Sequence, residues 1–167
     1  TYDGPGIAQW RKVVQTRPVT AIFCGHTHYG QVANDGRNVY VATRSVGDPE
    51  GGAAGYAIAY LHGEDLALTR RTVDDHGPIV LITHPRSLVL STGPKHIVSG
   101  PDECRVRVWS AEPVASARFR IDGEAWNDLA LRSGNEWSGP IPGDRLAKGL
   151  HVLEAEAEPL LREMRQI

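Results

Sequence analysis

Cysteine is scarce in this 167-residue sequence, which holds only Cys24 and Cys104. Small secreted domains that depend on disulfides carry more cysteines, and these two lie in segments that belong to different predicted units. The sequence therefore does not indicate a disulfide framework. We expect both thiols to be buried, because a free cysteine tends to pack as a small hydrophobic side chain.

Long apolar runs and long basic runs are also missing. No stretch reaches the ~18 consecutive apolar residues that span a membrane, and no signal-peptide pattern opens the chain. Eighteen Lys and Arg against twenty Asp and Glu give a net charge of -2, without a basic stripe that would neutralise a phosphate backbone. Neither a membrane nor a nucleic-acid partner is indicated. The chain begins at Thr1 without an initiator Met, and we expect it to be a fragment.

What is present is the composition of a folded protein, with 41% hydrophobic and 23% charged residues. Apolar residues recur at helical spacing between Ile7 and Val14, which predicts a helix over residues 7–15. Four β-rich runs follow, with a turn at residues 34–36 between the first two. The predicted strands cover residues 19–24, 39–43, 56–61 and 66–73.

Residues 74–78 form the strongest linker pattern, because this polar segment ends in Gly77-Pro78. We therefore place a domain boundary near residue 76. Beyond it, short β-rich runs recur about every 8 to 12 residues with turns between them, which is typical of a β-sandwich. The predicted strands cover residues 79–83, 96–99, 105–110, 117–122, 136–141 and 149–157, and residues 160–167 are expected to form a frayed helical tail. Charged and apolar residues alternate over 105–109, as expected for a sheet with one face in water.

The sharpest chemical pattern is Cys24-Gly25-His26-Thr27-His28, in which two imidazoles lie one residue apart after an apolar strand. On extended backbone, at ~3.3 Å per residue, both side chains would lie on the same side. Ions in catalytic two-metal sites lie ~3.5 to 4 Å apart, so each imidazole could bind one ion. Imidazole suits several metals, so these residues leave the metal open. The alternative is a pair of hydrogen-bonded loop histidines.

The run from Val19 to His28, together with the helix before it, closely resembles the last metal-binding motif of the calcineurin-like metallophosphoesterases. The resemblance extends over residues 5–73 and implies that residues 1–76 are the C-terminal part of that family's α/β sandwich. It also implies that His26 binds the second and His28 the first of two divalent ions, which would be manganese, iron or zinc. In the intact enzyme, a metal-bound hydroxide would attack a phosphoester substrate.

The chain departs from that family in its other ligands. Asp-x-His, Gly-Asp-x-x-Asp and Gly-Asn-His-Asp/Glu motifs and one more histidine are expected before Gly25, and none precedes it. Two histidines neither neutralise nor orient a pair of divalent ions. We therefore expect this chain to hold no catalytic residue of its own, to be inert alone, and to associate with itself or with a missing N-terminal half.

The remaining histidines carry no comparable pattern. His84, in Thr83-His84-Pro85, follows the His-x-His motif and lies across the linker, which is the wrong order for the family's additional histidine. We interpret it as a surface or turn residue. His62, His76, His96 and His151 are single histidines in predicted turns or strands, and we interpret them as structural or solvated.

Residues 77–167 resemble the immunoglobulin-like or fibronectin-like sandwiches that are appended to some bacterial metallophosphoesterases. The resemblance rests on residues 114–126, Trp137 and residues 149–153, and it implies a fold more than a function. We expect Trp109, Trp126 and Trp137 to pack in the core, the alternative being a carbohydrate or partner platform.

Two interpretations of function follow. The first is a fragment of a metal-dependent phosphoester hydrolase with an immunoglobulin-like accessory domain. The second is a non-catalytic binding module, in which the sandwich binds a protein or glycan and the first half supports it.

Overall fold

The computed structural model describes residue 4 and residues 6–47 and 52–159 of the chain. Strands account for 45% of it and helices for 11%, which confirms the β-rich character of the predicted fold. In chain order the elements are α1 (Ile7–Thr16), β1 (Ile22–Cys24), β2 (Gln31–Asn34), β3 (Val39–Ala42), β4 (Gly55–His62), β5 (Asp65–Thr72), β6 (Ile79–His84), two 3-10 turns (Leu88–Leu90 and Pro94–His96), β7 (Asp102–Trp109), β8 (Val114–Ile121), β9 (Asn127–Asp128), β10 (Ala130–Ser133), β11 (Glu136–Ile141) and β12 (Leu153–Pro159).

The first sheet has three strands in the order β1-β3-β2. β1 runs parallel to β3 and β2 runs antiparallel to it, so that Val41 lies opposite both Phe23 and Val32. The central strand is the buried one, with Val39 and Val41 fully covered, whereas Phe23 on the edge strand β1 is 46% exposed. The edge strands of this sheet are therefore more exposed to solvent than its central strand.

Helix α1 confirms the predicted amphipathic helix but buries little of its surface. Val14 is its buried residue, while Trp10 and Val13 are half exposed. Most helical stability in proteins comes from packing of an apolar face, so α1 gains little stability from packing against the other described residues.

β4 and β5 form a long antiparallel hairpin with one continuous register. Leu66 from this hairpin joins Val39 and Val41 in a small core, which is completed by Leu90 from the 3-10 turn after β6. The Asn34 side-chain amide fixes that turn by donating to backbone carbonyls on either side of Leu90, at 3.2 and 2.8 Å. A segment beyond residue 76 thus helps to close the core of the first half.

The other strands form two antiparallel sheets, in the orders β10-β11-β7-β6 and β12-β8-β9. Along β7, Cys104, Val106 and Val108 are buried, while Arg105 and Arg107 lie on the opposite face, which confirms the alternation read from the sequence. The two sheets pack face to face across one core. Its buried members are Cys104, Val106, Val108, Ala117, Phe119, Leu129, Trp137 and Ile141.

Several predicted elements differ from the structure. The strand predicted at residues 96–99 is wrong, because Pro94 starts a 3-10 turn there, where its fixed φ suits a tight turn. The last strand begins at Leu153 rather than at residue 149. Strands β2, β9 and β10 were not predicted, since their residues are mostly exposed and lack an apolar pattern. The predicted helical tail at residues 160–167 lies outside the described residues.

The cysteine and tryptophan predictions hold only in part. Cys104 is buried, but Cys24 is exposed because it ends the edge strand β1, so the expectation of two buried thiols is wrong. Trp137 is 8% exposed and lies in the core as predicted, whereas Trp109 is 37% exposed. The Trp126 ring lies beneath two arginine side chains at the surface of the second sheet rather than in the core.

Candidate functional site

The His-x-His loop connects β1 to β2 and follows the carboxyl end of a parallel strand. His26 and His28 both have left-handed backbone, with φ of 84° and 57°. Such angles are uncommon for residues with a side chain and cost ~1 to 3 kcal/mol each. The extended geometry assumed from the spacing of the motif therefore does not describe this loop.

Backbone hydrogen bonds tie this loop to the strands beside it. The Ser45 amide donates to the His28 carbonyl, and the Gly55 amide donates to the Ser45 carbonyl, both at 3.2 Å. The Cys24 thiol donates to the Val41 carbonyl at 3.5 Å. The loop is thus anchored to the central strand of the first sheet and, through Ser45, to the start of the β4–β5 hairpin.

Two arginines lie at the far end of the loop. A Cβ at Gly30 would fall 2.9 Å from Arg70 Nε and 3.6 Å from Arg44 Cγ, so glycine allows both side chains to approach the backbone. Arg44 also donates to the Ala53 carbonyl at 3.1 Å. The Arg70 guanidinium therefore lies at the end of the loop and favours an anionic ligand there. The Arg44 guanidinium lies against Gly52 and Ala53.

The described residues by themselves do not fit a metal centre. Among them, no group of three or more His, Cys, Asp or Glu side chains could hold an ion. Catalytic zinc sites use three protein ligands and structural sites four, and paired ions require bridging oxygen ligands besides. A metal role for His26 and His28 therefore remains a prediction that needs further ligands.

Two other histidines take part in hydrogen bonds within the sandwich. His84 Nε2 lies 2.9 Å from Asp102 Oδ1 and links β6 to β7. His151 bonds through both ring nitrogens, to Asp122 Oδ2 at 2.6 Å and to the Ala147 carbonyl at 2.8 Å. The hydrogen bond to Asp122 raises the pKa of His151.

Sequence reasoning missed a polar cavity of about 250 Å³ between the β4–β5 hairpin and the outer face of the β6–β7–β11 sheet. The Arg107 guanidinium lies 4.9 Å from the Tyr60 ring centroid and 2.8 Å from a Glu136 carboxylate oxygen. Arg105 lies 3.8 Å from Asp65. The alternation of β7 predicted that these arginines would face water, and no local pattern indicated that a hairpin covers them.

No helix among the described residues has both the length and the apolar character needed to cross a membrane. No protein-family model, curated protein or solved structure matches this chain.

Proposed function

We propose that this chain supplies His26 and His28 to the metal centre of a phosphoester hydrolase, as part of an α/β metallophosphoesterase fold. The observation that carries the proposal is the left-handed backbone of both histidines, on a loop that follows a parallel strand. Strained backbone at side-chain-bearing residues is concentrated at functional sites. Ligands of open α/β sheets bind outside the carboxyl ends of the strands.

The charges near the loop support an anionic substrate. The Arg70 guanidinium lies against Gly30 at the end of the loop, and a guanidinium group pairs well with phosphate oxygens. A phosphoester would therefore be attracted to the surface that carries the histidines.

The other ligands must come from residues beyond those described, because two imidazoles do not complete a centre for two divalent ions of manganese, iron or zinc. We assign no catalytic group to the described residues. Residues 77–159 form an immunoglobulin-like accessory domain under this proposal, which is supported by two antiparallel sheets of four and three strands that share one core.

The test uses the complete gene product that contains this chain. His26→Ala and His28→Ala should each lower manganese-dependent hydrolysis of an aryl phosphate by ~100-fold or more, since even residues that only support a ligand are worth 10 to 100-fold. His76→Ala, a change at an exposed linker histidine, should leave the rate unaltered. Full activity in both loop variants would overturn the proposal.

A non-catalytic role is the second candidate, and the position of Leu90 favours it. A segment that follows the first sandwich strand completes the core of the first half, so residues beyond 76 support the first half structurally. Under this alternative the complete gene product binds a partner and shows no metal-stimulated hydrolysis of phosphoesters.

A further inference from the structure

A second cavity, of about 380 Å³, lies away from the histidine loop. It opens where the end of α1, the β2–β3 turn, the β4–β5 turn and the segment after β6 meet. Four cationic side chains face one carboxylate, Glu64, in its lining. The cationic residues are Arg17, Arg37, Arg86 and Lys95.

Arg86 is the most unusual residue of this lining. Its side chain is buried, with the residue only 8% exposed, and one nitrogen donates to the Leu90 carbonyl at 3.4 Å. Nε and Nη2 are buried and have no hydrogen-bond partner among the described residues. A guanidinium group carries five N–H donors, and a buried charge without partners costs free energy.

The carboxylates near Arg86 are already engaged with other cations. Glu64 forms an ion pair with Lys95, and Asp65 lies 3.8 Å from Arg105. Burial lowers the pKa of Arg86, and the charges of Asp65 and Glu64 oppose that effect. A further anion in the cavity would supply the counter-charge that Arg86 lacks.

The other polar groups of the lining also suit a phosphate. The Thr92 amide donates to His96 Nδ1 at 3.4 Å, which places the proton of the neutral ring on Nε2. Burial and the charges of Arg86 and Lys95 lower the pKa of His96, so the ring is neutral near pH 7. A neutral Nε2–H is a donor, and phosphate oxygens are strong acceptors.

The rest of the lining indicates which kind of group would be attached to the phosphate of the ligand. Thr16, Thr20 and Asn38 make the lining polar, although the Thr16 hydroxyl already donates to the Lys12 carbonyl at 2.6 Å. The described lining contains no Trp, Tyr or Phe on which a base could stack. The volume falls within the range of about 300 to 1,000 Å³ that holds small organic molecules. The lining therefore fits a hydroxyl-rich ligand better than an aromatic one.

We propose that this cavity binds a small phosphomonoester with a polar, non-aromatic body, such as a sugar phosphate, whose phosphate lies against Arg86, Lys95 and His96. The site is independent of the proposed metal centre, because none of its lining residues belongs to the His26–His28 loop.

The experiment is calorimetry on the whole chain with glucose 6-phosphate, inorganic phosphate, glucose and AMP, at constant ionic strength and with EDTA present. EDTA removes any phosphate binding that depends on a metal at the histidine loop. We expect saturable binding of glucose 6-phosphate, weaker binding of inorganic phosphate and AMP, and none of glucose. Absence of saturable glucose 6-phosphate binding would overturn the proposal, and so would AMP or inorganic phosphate binding as tightly as the sugar phosphate.

Substitutions inside and outside the lining test whether the ligand binds in this cavity. Arg86→Lys keeps the charge but loses the planar fork, and it should weaken binding of glucose 6-phosphate about tenfold or more. Lys95→Gln should weaken it about threefold, while Lys148→Gln, the same change at an exposed lysine outside the lining, should not alter it. Lys95 is 60% exposed, so its replacement keeps the test open if Arg86→Lys fails to fold. Equal affinity of the Lys95→Gln and Lys148→Gln variants would contradict the assignment.

Discussion

The two thiols differ most clearly in their access to water. Cys104 lies in the sandwich core, where burial raises its pKa to about 12, whereas Cys24 is exposed at the end of an edge strand. Because the thiolate is the reactive form, a buried thiol of high pKa is inert. The pair therefore provides a direct probe of the folded state.

We predict that a thiol reagent at about pH 8 modifies one cysteine per native chain, and both in denaturant. Mass spectrometry should place the native modification on Cys24, and Cys24→Ser should abolish it. Rapid labelling of Cys104 in the native protein would show that the sandwich core is open.

His151 and Asp122 form the residue pair whose contribution to stability depends on pH. Their hydrogen bond raises the pKa of His151 above 6.5 and lowers that of Asp122 below 3.8, with help from the Val152 amide. The contribution of His151 to the stability of the fold is complete below pH 6.5, and it is lost as the pH rises through the raised pKa of His151. The contribution of Asp122 to the stability of the fold is complete above pH 3.8, and it is lost as the pH falls through the lowered pKa of Asp122. The pair therefore stabilises the fold most between these two values.

We predict that His151→Gln lowers the melting temperature more at about pH 5.5 than at about pH 8.5. The measurement is thermal unfolding followed by circular dichroism at both pH values. His76→Gln, at an exposed histidine in the segment between β5 and β6, serves as the control and should show no such difference. An equal loss at both pH values would mean that the ion pair does not form.

At the scale of elements, the 3-10 turn after β6 places one of its three residues in the core of the first half. Leu90 is 2% exposed in the core with Val39, Val41 and Leu66, while Leu88 on the same turn is 57% exposed. We predict that Leu90→Ala lowers the free energy of unfolding by ~2 to 5 kcal/mol, and that Leu88→Ala changes it by less than ~0.5 kcal/mol. Urea titration measures both, and similar values for the two variants would contradict the packing.

Strand β1 lies at an edge of the first sheet and is poorly covered by other elements. Phe23 on β1 and Trp10 and Val13 on α1 are each about half exposed. Unpaired strand edges favour pairing with another chain, and burial of each large apolar side chain contributes ~1.5 to 3 kcal/mol.

We therefore predict self-association of this chain at micromolar concentration, measured by light scattering, and a larger monomer fraction for Phe23→Lys. Phe119→Leu, a change in the sandwich core, is the control that should not alter the oligomeric state. A wild-type monomer with slow amide exchange in β1 would show that the first half has a sufficient core of its own.

At the scale of the whole molecule, the two cores differ in size. The sandwich core has eight buried members, all from residues beyond 76, whereas the core of the first half has four, one of which is Leu90 from the 3-10 turn after β6. A unit of about 80 residues builds a marginal but sufficient core. The domain boundary near residue 76 remains a prediction.

We predict that residues 77–159 unfold cooperatively when expressed alone and that residues 1–76 do not fold, because they lose Leu90. Thermal melts of the two fragments provide the measurement, with near-ultraviolet circular dichroism of Trp137 as a control for native packing. A cooperative transition in residues 1–76 would contradict this prediction.

Local patterns determined much of this protein. The spacing of apolar residues predicted α1, the alternation of charge and valine predicted which face of β7 is buried, and Gly25 and Gly30 placed the two histidines on a loop. These features could be predicted from the sequence because the spacing of apolar residues and the positions of glycine and proline act through the backbone of a few neighbouring residues.

Only the tertiary structure decided the burial of Leu90 and Arg86, the exposure of Cys24 and the cover over Arg105 and Arg107. Each depends on which distant segments meet, and residues with the same local pattern can face either water or another element. The sequence by itself thus indicated the helix, the longer strands and the histidine motif. The cavities and the charges within them arose from long-range packing, because burial is a property of the assembled fold.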